Sequence, residues 1–534
     1  MARSSSHTLA IAATPGTQPG LRLRLAEAIA ALSLATDLGM GQPMEKGLRT
    51  ALLATGLGRR LRLDQADLSD LYYLGLLIHV GCSATAFEYE MFTGGDDLEM
   101  RRRLVAVNSQ PVAEIGLTVF AGLAEIAPPE KRDGLLAAMM QNPNAGAALL
   151  TGQCEAAMLL VRQLGLPGSL VAAIGQMYER WDGMGVPNHV SGEDIDIRIR
   201  VLQVAHDAEV LHRETGSAAA SSELRRRAEQ GGLDPGCVAA FVEASADLFS
   251  EIPEEDLWQA ALASEPSPVK TVGDAALDGI CEGFGQFADL KSPFTLGHSS
   301  AVAQLAHDAA LADGSDEREA ISIRRAGHLH DVGRIGVPNG IWDKPGRLSE
   351  AEFERVRLHP YYTERILHRP GLLAPLAGLA AGHHERVDGS GYHRGLDAAR
   401  QSRASRVLAA ADTYQAMTQP RPHRPALAGR AAAAELRAEA RVGRLDSKAV
   451  GAVLEALGHS RRSVRGTWPA GLSDREVDVL RLLCTGRTNK DMAQELHISP
   501  KTVGRHIENI YVKTGVSTRA SVTVFALQQG IVAG

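Results

Sequence analysis

His330 and Asp331 put an imidazole and a carboxylate on one short piece of backbone, and the two oxygens of an Asp allow it to bridge two ions. Further ligand types follow in the same stretch: His298 after a glycine, His359 before a proline, the His383–His384 pair, and Asp412. Five His and two Asp, with no Cys, suit two divalent ions of iron or manganese better than structural zinc. Adjacent helix residues point about 100° apart, so His383 and His384 are expected to serve different ions. Two such cations would lower the pKa of a bridging water. Arg334, Arg386, Arg421 and Arg424 suit bidentate contact with phosphate.

The elements that must position these groups read as helices. Ile321 to Gly327 is apolar and Arg-bearing, closes at the His-Asp pair, and meets a turn at Gly333. The pattern predicts an all-α chain: a disordered start (1–20), helical blocks over 21–262 and 271–458, a basic linker (459–471) and a compact block over 472–534. Glu265-Pro-Ser-Pro-Val marks the junction between the first two. Those two look like copies. Glu223-Leu-Arg, Leu233-Asp234 and Val238 recur as Glu435-Leu-Arg, Leu445-Asp446 and Val450, and Glu179-Arg180 to Gly185 mirrors Glu385-Arg386 to Gly391.

A net charge of -7 argues against general nucleic-acid binding, but the charge is uneven. From Arg461 onward eleven Lys/Arg stand against six Asp/Glu, as expected of an acidic body carrying a nucleic-acid module. The five cysteines lie far apart with no CxxC, which excludes a zinc knuckle or a disulfide framework and fits a cytoplasmic location. The short run at Leu9 is too brief for a spanning helix, so no membrane partner is expected.

The second block resembles the HD-GYP family of metal-dependent phosphohydrolases. The matching text is Lys291-Ser-Pro-Phe-Thr-Leu-Gly-His298, His330-Asp-Val-Gly-Arg-Ile-Gly, Lys344-Pro-Gly-Arg, His359-Pro, His383 through Tyr392, Ala411-Asp412-Thr-Tyr and Arg421-Pro-His-Arg424. The resemblance implies a helical bundle around a two- or three-metal centre that hydrolyses cyclic di-GMP. It makes His298, His330, Asp331, His359, His383, His384 and Asp412 the metal ligands, with Asp331 as bridge and, with Arg334, catalytic. Arg386, Gly391, Tyr392, Arg421 and Arg424 would surround the substrate. Phe294 offers no carboxylate for a third ion, so two metals are expected. The family's usual Lys, Pro and Tyr are replaced by Arg334, His393 and His423. These changes leave open a non-hydrolysing metal or nucleotide sensor, or a phosphohydrolase for another phosphoester.

In the first block the alignment puts Gln42 at the place of His298, His79-Val80 at His330-Asp331, Gln153 at His359, Met177-Tyr178 at the His pair and His206 at Asp412. No dinuclear site can be built from that set, and the block reads as a degenerate HD-type domain for dimerisation or ligand sensing, or as a structural spacer.

In the tail, Ser473-Asp-Arg-Glu476 and Thr488-Asn-Lys-Asp491 are capping boxes, and Ser499-Pro500 opens a helix that Gly515 ends. That helix, Lys501 to Lys513, buries Val503, Ile507, Ile510 and Tyr511 by spacing and turns a basic, amide-bearing face outward, as a helix-turn-helix recognition helix does. This block resembles the LuxR-type four-helix DNA-binding domain. The resemblance puts Thr488, Lys501 and Lys513 on phosphates and Thr502, Val503, Arg505, His506 and Asn509 near base edges, and implies a homodimer on DNA. The whole chain thus reads as a transcriptional regulator coupling a cyclic di-GMP phosphodiesterase to DNA binding.

Overall fold

The computed structural model describes residues 23–107, 109–142, 144–459 and 468–532. The disordered start expected for 1–20 and most of the linker expected at 459–471 lie outside them.

The first block runs through α1 (Leu25–Gly39), α2 (Lys46–Arg60), α3 (Gln65–Leu76), α4 (Ala86–Thr93), α5 (Asp97–Val105), α6 (Val112–Ile126) and α7 (Pro129–Gln141). It continues through α8 (Ala145–Gln163), α9 (Gly168–Ile174), α10 (Ile197–Thr215), α11 (Ser217–Glu229), α12 (Pro235–Ser250) and α13 (Leu257–Ala263). The second block holds α14 (Asp274–Asp289), α15 (His298–Ala312), α16 (Glu317–Leu329), α17 (Asn339–Trp342), α18 (Glu350–Arg357) and α19 (His359–Leu367). After these come α20 (Ala374–Ala381), α21 (Arg403–Thr418), α22 (Gly429–Arg441) and α23 (Ser447–His459). The last block is α24 (Asp474–Cys484), α25 (Asn489–Glu495), α26 (Pro500–Thr514) and α27 (Arg519–Gln528). The capping boxes expected at Ser473 and Thr488 form, as do others at Ser349 and Thr518. Each satisfies N–H groups that a helix start leaves unpaired. Among the described residues, no helix is long and apolar enough to cross a membrane.

The duplication is visible in matched hydrogen bonds. Asp234 caps α12 and accepts from Arg200 at 2.9 Å; Asp446 caps α23 and accepts from Arg406 at 3.1 Å. Glu179 accepts from the Asn188 N–H at 2.7 Å, and Glu385 from that of Arg394 at 2.8 Å.

The copies are not separate bodies. One apolar cluster runs from Leu25 and Ile29 through Phe241, Phe284 and Leu329 to Val453. Two strands of two residues, β1 (Leu23–Arg24) and β2 (Thr271–Val272), pair antiparallel and tie the starts of the two copies together. The junction at Glu265 is anchored there: its buried carboxylate pairs with Arg24 and accepts from the Tyr73 hydroxyl at 2.6 Å and the Lys270 N–H at 3.1 Å. Asp97 of the first copy, fully buried, accepts from the Asn339 N–H of the second at 2.6 Å and faces Lys291 at 3.7 Å. Gly39 lies where any Cβ would meet the Ile335 side chain at 2.4 Å.

The last block has its own core around Val477, Leu480, Val503, Ile510 and Val522, and α27 packs on α8. There the Glu155 carboxylate accepts from the Ser517 N–H and hydroxyl at 3.2 and 2.6 Å and from the Thr518 hydroxyl at 3.3 Å. The Gln528 amide donates to the Leu159 carbonyl at 3.1 Å.

Candidate metal centre and nucleic-acid interface

Six of the seven ligand-type side chains come from helix ends or the turns beside them in the second copy. His298 opens α15, His330 and Asp331 follow α16, His359 opens α19, His383 and His384 form a 3-10 turn after α20, and Asp412 lies inside α21. Gly333 allows the approach: a Cβ there would lie 2.1 Å from the His359 carbonyl oxygen. Its N–H donates to the Thr363 hydroxyl, which donates in turn to the His330 carbonyl.

Four imidazoles are fixed in the same sense. Nδ1 of His298 is 2.9 Å from the Gln419 side-chain oxygen, and Nδ1 of His330, His359 and His383 lies 2.6 to 2.7 Å from the carbonyls of Gly327, Val356 and Ala380. Each Nδ1 therefore carries the proton, and each Nε2 presents a lone pair inward, the arrangement that outer partners impose on metal-binding histidines. His359 and His383 bring two such Nε2 atoms within 3.1 Å with no proton to share between them, and Nε2 of His330 is buried without a partner. A cation resolves both conflicts.

Asp331 sits in the middle. Its Oδ1 lies 3.4 and 3.5 Å from Nε2 of His359 and His383, its Oδ2 3.5 and 3.9 Å from Nε2 of His330 and His298. Asp412 Oδ1 is 3.2 Å from His298 Nε2. His298, His330 and Asp412 make one set with ligand atoms within 4.8 Å of one another, and His359, His383 and His384 make another. His383 and His384 lie on a 3-10 turn with ring centres 4.2 Å apart; both belong to the set with His359, and His383 also belongs to a set with His330 and Asp331. Burial, which outweighs the opposing pull of the Asp331 carboxylate, holds His330 down to about 4 and His359 to about 3, so both stay neutral, the form that ligates. Burial would raise the Asp331 and Asp412 carboxyls, but the surrounding imidazoles, with Arg334 at Asp331, outweigh it and keep both well below the usual range.

Around this centre, Arg334 pairs with Asp331 Oδ2 at 3.1 Å and lies 3.8 Å above the Trp342 ring. Tyr392 stacks on His384 with ring centres 4.8 Å apart. Gly391 is a packing requirement: a Cβ there would lie 2.3 Å from the Arg386 nitrogen and 2.5 Å from the His384 carbonyl oxygen. His393 pairs with Glu364 at 3.2 Å, and His423 is exposed. The arginines divide. Arg421 donates to the Phe294 carbonyl and to Gln419, near Arg334, whereas both terminal nitrogens of Arg424 bond the carbonyls that end α21. Arg386 donates to the His383 and Glu385 carbonyls. Arg424 is therefore a helix-end brace rather than a free phosphate ligand. Gln419 and Trp342, which position His298 and Arg334, have no signal in the sequence pattern.

The geometry corrects the alignment of the first copy. Asp37 accepts from the Gly47 N–H as Asp289 accepts from that of Ser299, and Glu45 and Gly297 share a left-handed φ. Lys46, not Gln42, therefore occupies the place of His298. A Cβ on Gly81 would strike the Gln153 carbonyl as one on Gly333 would strike that of His359, so His79 stands at Asp331 and Ile78 at His330. The Lys46 ammonium is buried 3.2 Å from His79 Nε2.

In the last block α26 behaves as a recognition helix. Lys501, Thr502, Arg505 and Asn509 are exposed and His506 is half-buried. Thr488 is exposed and caps α25. Two expectations are corrected. Val503 is fully buried in the core, and the Lys513 ammonium is held by Glu476 at 2.7 Å and the Gly471 carbonyl at 3.1 Å.

The fold and site thus define a duplicated HD-type helical bundle with a His/Asp cluster that could hold metal in its second copy, joined to a helix-turn-helix module. Residues 148–235 and 284–449 match the family model of the HD domain, and residues 470–526 that of bacterial regulatory proteins of the luxR family. The chain is 30% identical over 406 residues to 3'3'-cGAMP-specific phosphodiesterase 3 of Vibrio cholerae, spanning 76% of this chain and 88% of that protein. It is 35% identical over 147 residues to a cyclic di-GMP phosphodiesterase of Thermotoga maritima, spanning 27% of this chain and 40% of that protein. The crystal structure of a cyclic GMP-AMP specific phosphodiesterase from V. cholerae superposes with a TM-score of 0.57 at 27% identity, covering 82% of this chain and 98% of that one. The chain belongs to the HD-GYP family of HD-domain phosphodiesterases and carries a LuxR-family regulatory domain at its C-terminal end.

Proposed function

We propose that the second copy is an active metal-dependent phosphodiesterase for a cyclic dinucleotide, cyclic di-GMP first, and that the chain couples this activity to transcription through its last block. The observation that carries the reading is Asp331, whose two oxygens face two separate sets of fixed Nε2 lone pairs. Two ions of iron or manganese fit it: His298, His330 and Asp412 would hold one, His359, His383 and His384 the other, with Asp331 between them. Such ions supply an activated water and Lewis acidity at a phosphodiester.

The chain's own groups do the rest. Arg334 and Arg421 bring positive charge to the centre; Asp331 and the Trp342 face hold Arg334 in place. Tyr392, whose hydroxyl burial raises, stays protonated and fixes His384 by stacking. We assign the blocks as 21–262, 271–458 and 472–534, with Lys501, Thr502, Arg505, His506 and Asn509 facing DNA, in a cytoplasmic homodimer.

The test is anaerobic purification with iron or manganese, followed by chromatography of cyclic di-GMP and cyclic GMP-AMP, with Asp331→Ala as control. Linear product that disappears in the variant supports the reading. Metal-loaded protein that leaves both nucleotides intact overturns it in favour of a sensor.

A further inference from the structure

The connection between the paired glycines and the third ligand position is far longer in the first copy. It runs from Gly81 to Gln153, where the second copy needs only Gly333 to His359. The extra chain forms α4 to α7, with a small core of its own around Met100, Leu123 and Ala127. Between these helices, α8 and the loop after Tyr178 lies a cavity of about 410 Å3, within the size range of small-molecule sites.

Its wall is apolar: Met100, Val119, Leu123, Met139, Leu149 and Leu150 face it. Arg180 is the single charged side chain on the lining among the described residues, and all three of its guanidinium nitrogens are engaged. They donate to Asp182 at 2.7 and 3.1 Å and to the Ser109 and Gln110 carbonyls at 2.9 and 2.6 Å. The Tyr178 hydroxyl is likewise committed to Gln153 at 2.6 Å. An anionic group brought here would find no unspent cation, and burying it unpaired is costly. A cyclic dinucleotide is therefore excluded, and a neutral apolar molecule fits.

The cavity also touches the output module through one helix. Leu149 and Leu150 of α8 line it, and one to three turns later Glu155 and Leu159 of the same helix hold Ser517, Thr518 and Gln528. We propose that the first copy is a receptor for a neutral, largely apolar small molecule bound between α4 to α8, and that α8 transmits its occupancy to the DNA-binding block.

The test uses the full chain and a matched pair of fluorophores, neutral N-phenyl-1-naphthylamine and its anionic sulfonate analogue 8-anilinonaphthalene-1-sulfonate. The neutral dye is expected to bind once per chain, at least ten-fold more tightly than the anion. Gly116 of α6 and Gly146 of α8 face the cavity, and a Cβ on either meets nothing within 4 Å, so Gly116→Trp and Gly146→Trp fill it from opposite walls. Each should abolish the site with the melting temperature retained, and either variant suffices if the other fails to fold. Dye binding that survives in a folded filled variant, or that favours the anion, overturns the receptor. The saturating neutral dye should shift promoter-fragment affinity at least three-fold in the parent protein and not in the filled variants. An unchanged affinity overturns transmission through α8.

Discussion

At the seven positions where the second copy presents five imidazoles and two carboxylates, the first presents Lys46, Ile78, His79, Gln153, Met177, Tyr178 and His206. Both carboxylates have become imidazoles, and an ammonium stands at the place of His298. The space left beside His79 and His206 is about 50 Å3, room for little more than water. The first copy places the Lys46 side-chain nitrogen at its centre, 3.2 Å from His79 Nε2. Burial lowers the Lys46 ammonium and raises the Asp37 carboxyl to about 7, and Asp37 and Glu209 offset part of the cost of the charge. Where the second copy offers the His298 imidazole, the first offers the nitrogen of a lysine.

The contrast can be broken most sharply at Asp331. Asp331→Ala should reduce nucleotide hydrolysis to background and lower metal content measured by atomic emission, whereas His79→Ala, at the matching position, should leave both unchanged. Next is Gln419→Ala, which frees His298 Nδ1. Metal affinity should fall about 10- to 100-fold, as for other outer partners of metal-bound histidines, read by titration against a chelator.

Acid bears on both copies. Burial, and then Lys46, hold His206 down to about 4 from an ordinary 6.5, as burial holds His330 and His359 down in the second copy. Below pH 6.5 the unfolded chain takes up protons that the folded chain refuses, so stability falls as pH drops from 6.5 to about 4, and His206 contributes about 3 kcal/mol of that fall. Denaturant melts of His206→Asn should show a correspondingly shallower slope. In the last block, Lys501→Ala and Arg505→Ala should each reduce the salt slope of DNA binding by about one. The smallest effect is expected of Lys513→Ala, which should leave that slope unchanged and cost the block under about 1 kcal/mol in a thermal melt, since its pair with Glu476 is partly exposed.

The cluster of His and Asp in the second copy is legible because metal chemistry demands particular side-chain types, and those stand out from a helical background. The capping boxes were readable because they satisfy local N–H groups. What escaped was set by backbone contact. The one-residue slip at His79 is decided by Gly81 against the Gln153 carbonyl, and the error at Gln42 by the Asp37–Gly47 hydrogen bond; neither has a pattern along the chain. Lys513 escaped because a long side chain at the end of an exposed helix face folds back on its own domain. Periodicity tells which face of a helix is buried and not what covers it, so the core common to both copies was invisible.

The contacts of Asp97 with Asn339 and Lys291, and of Gly39 with Ile335, lie within a few residues of the ligand segments His298 and His330–Asp331. A gene trimmed to begin at residue 271 would encode every ligand and yet remove the wall against which two of their loops are cast. The copy without the ligand set therefore serves the site as formwork, its chain packed against the loops that carry the ligand-type residues.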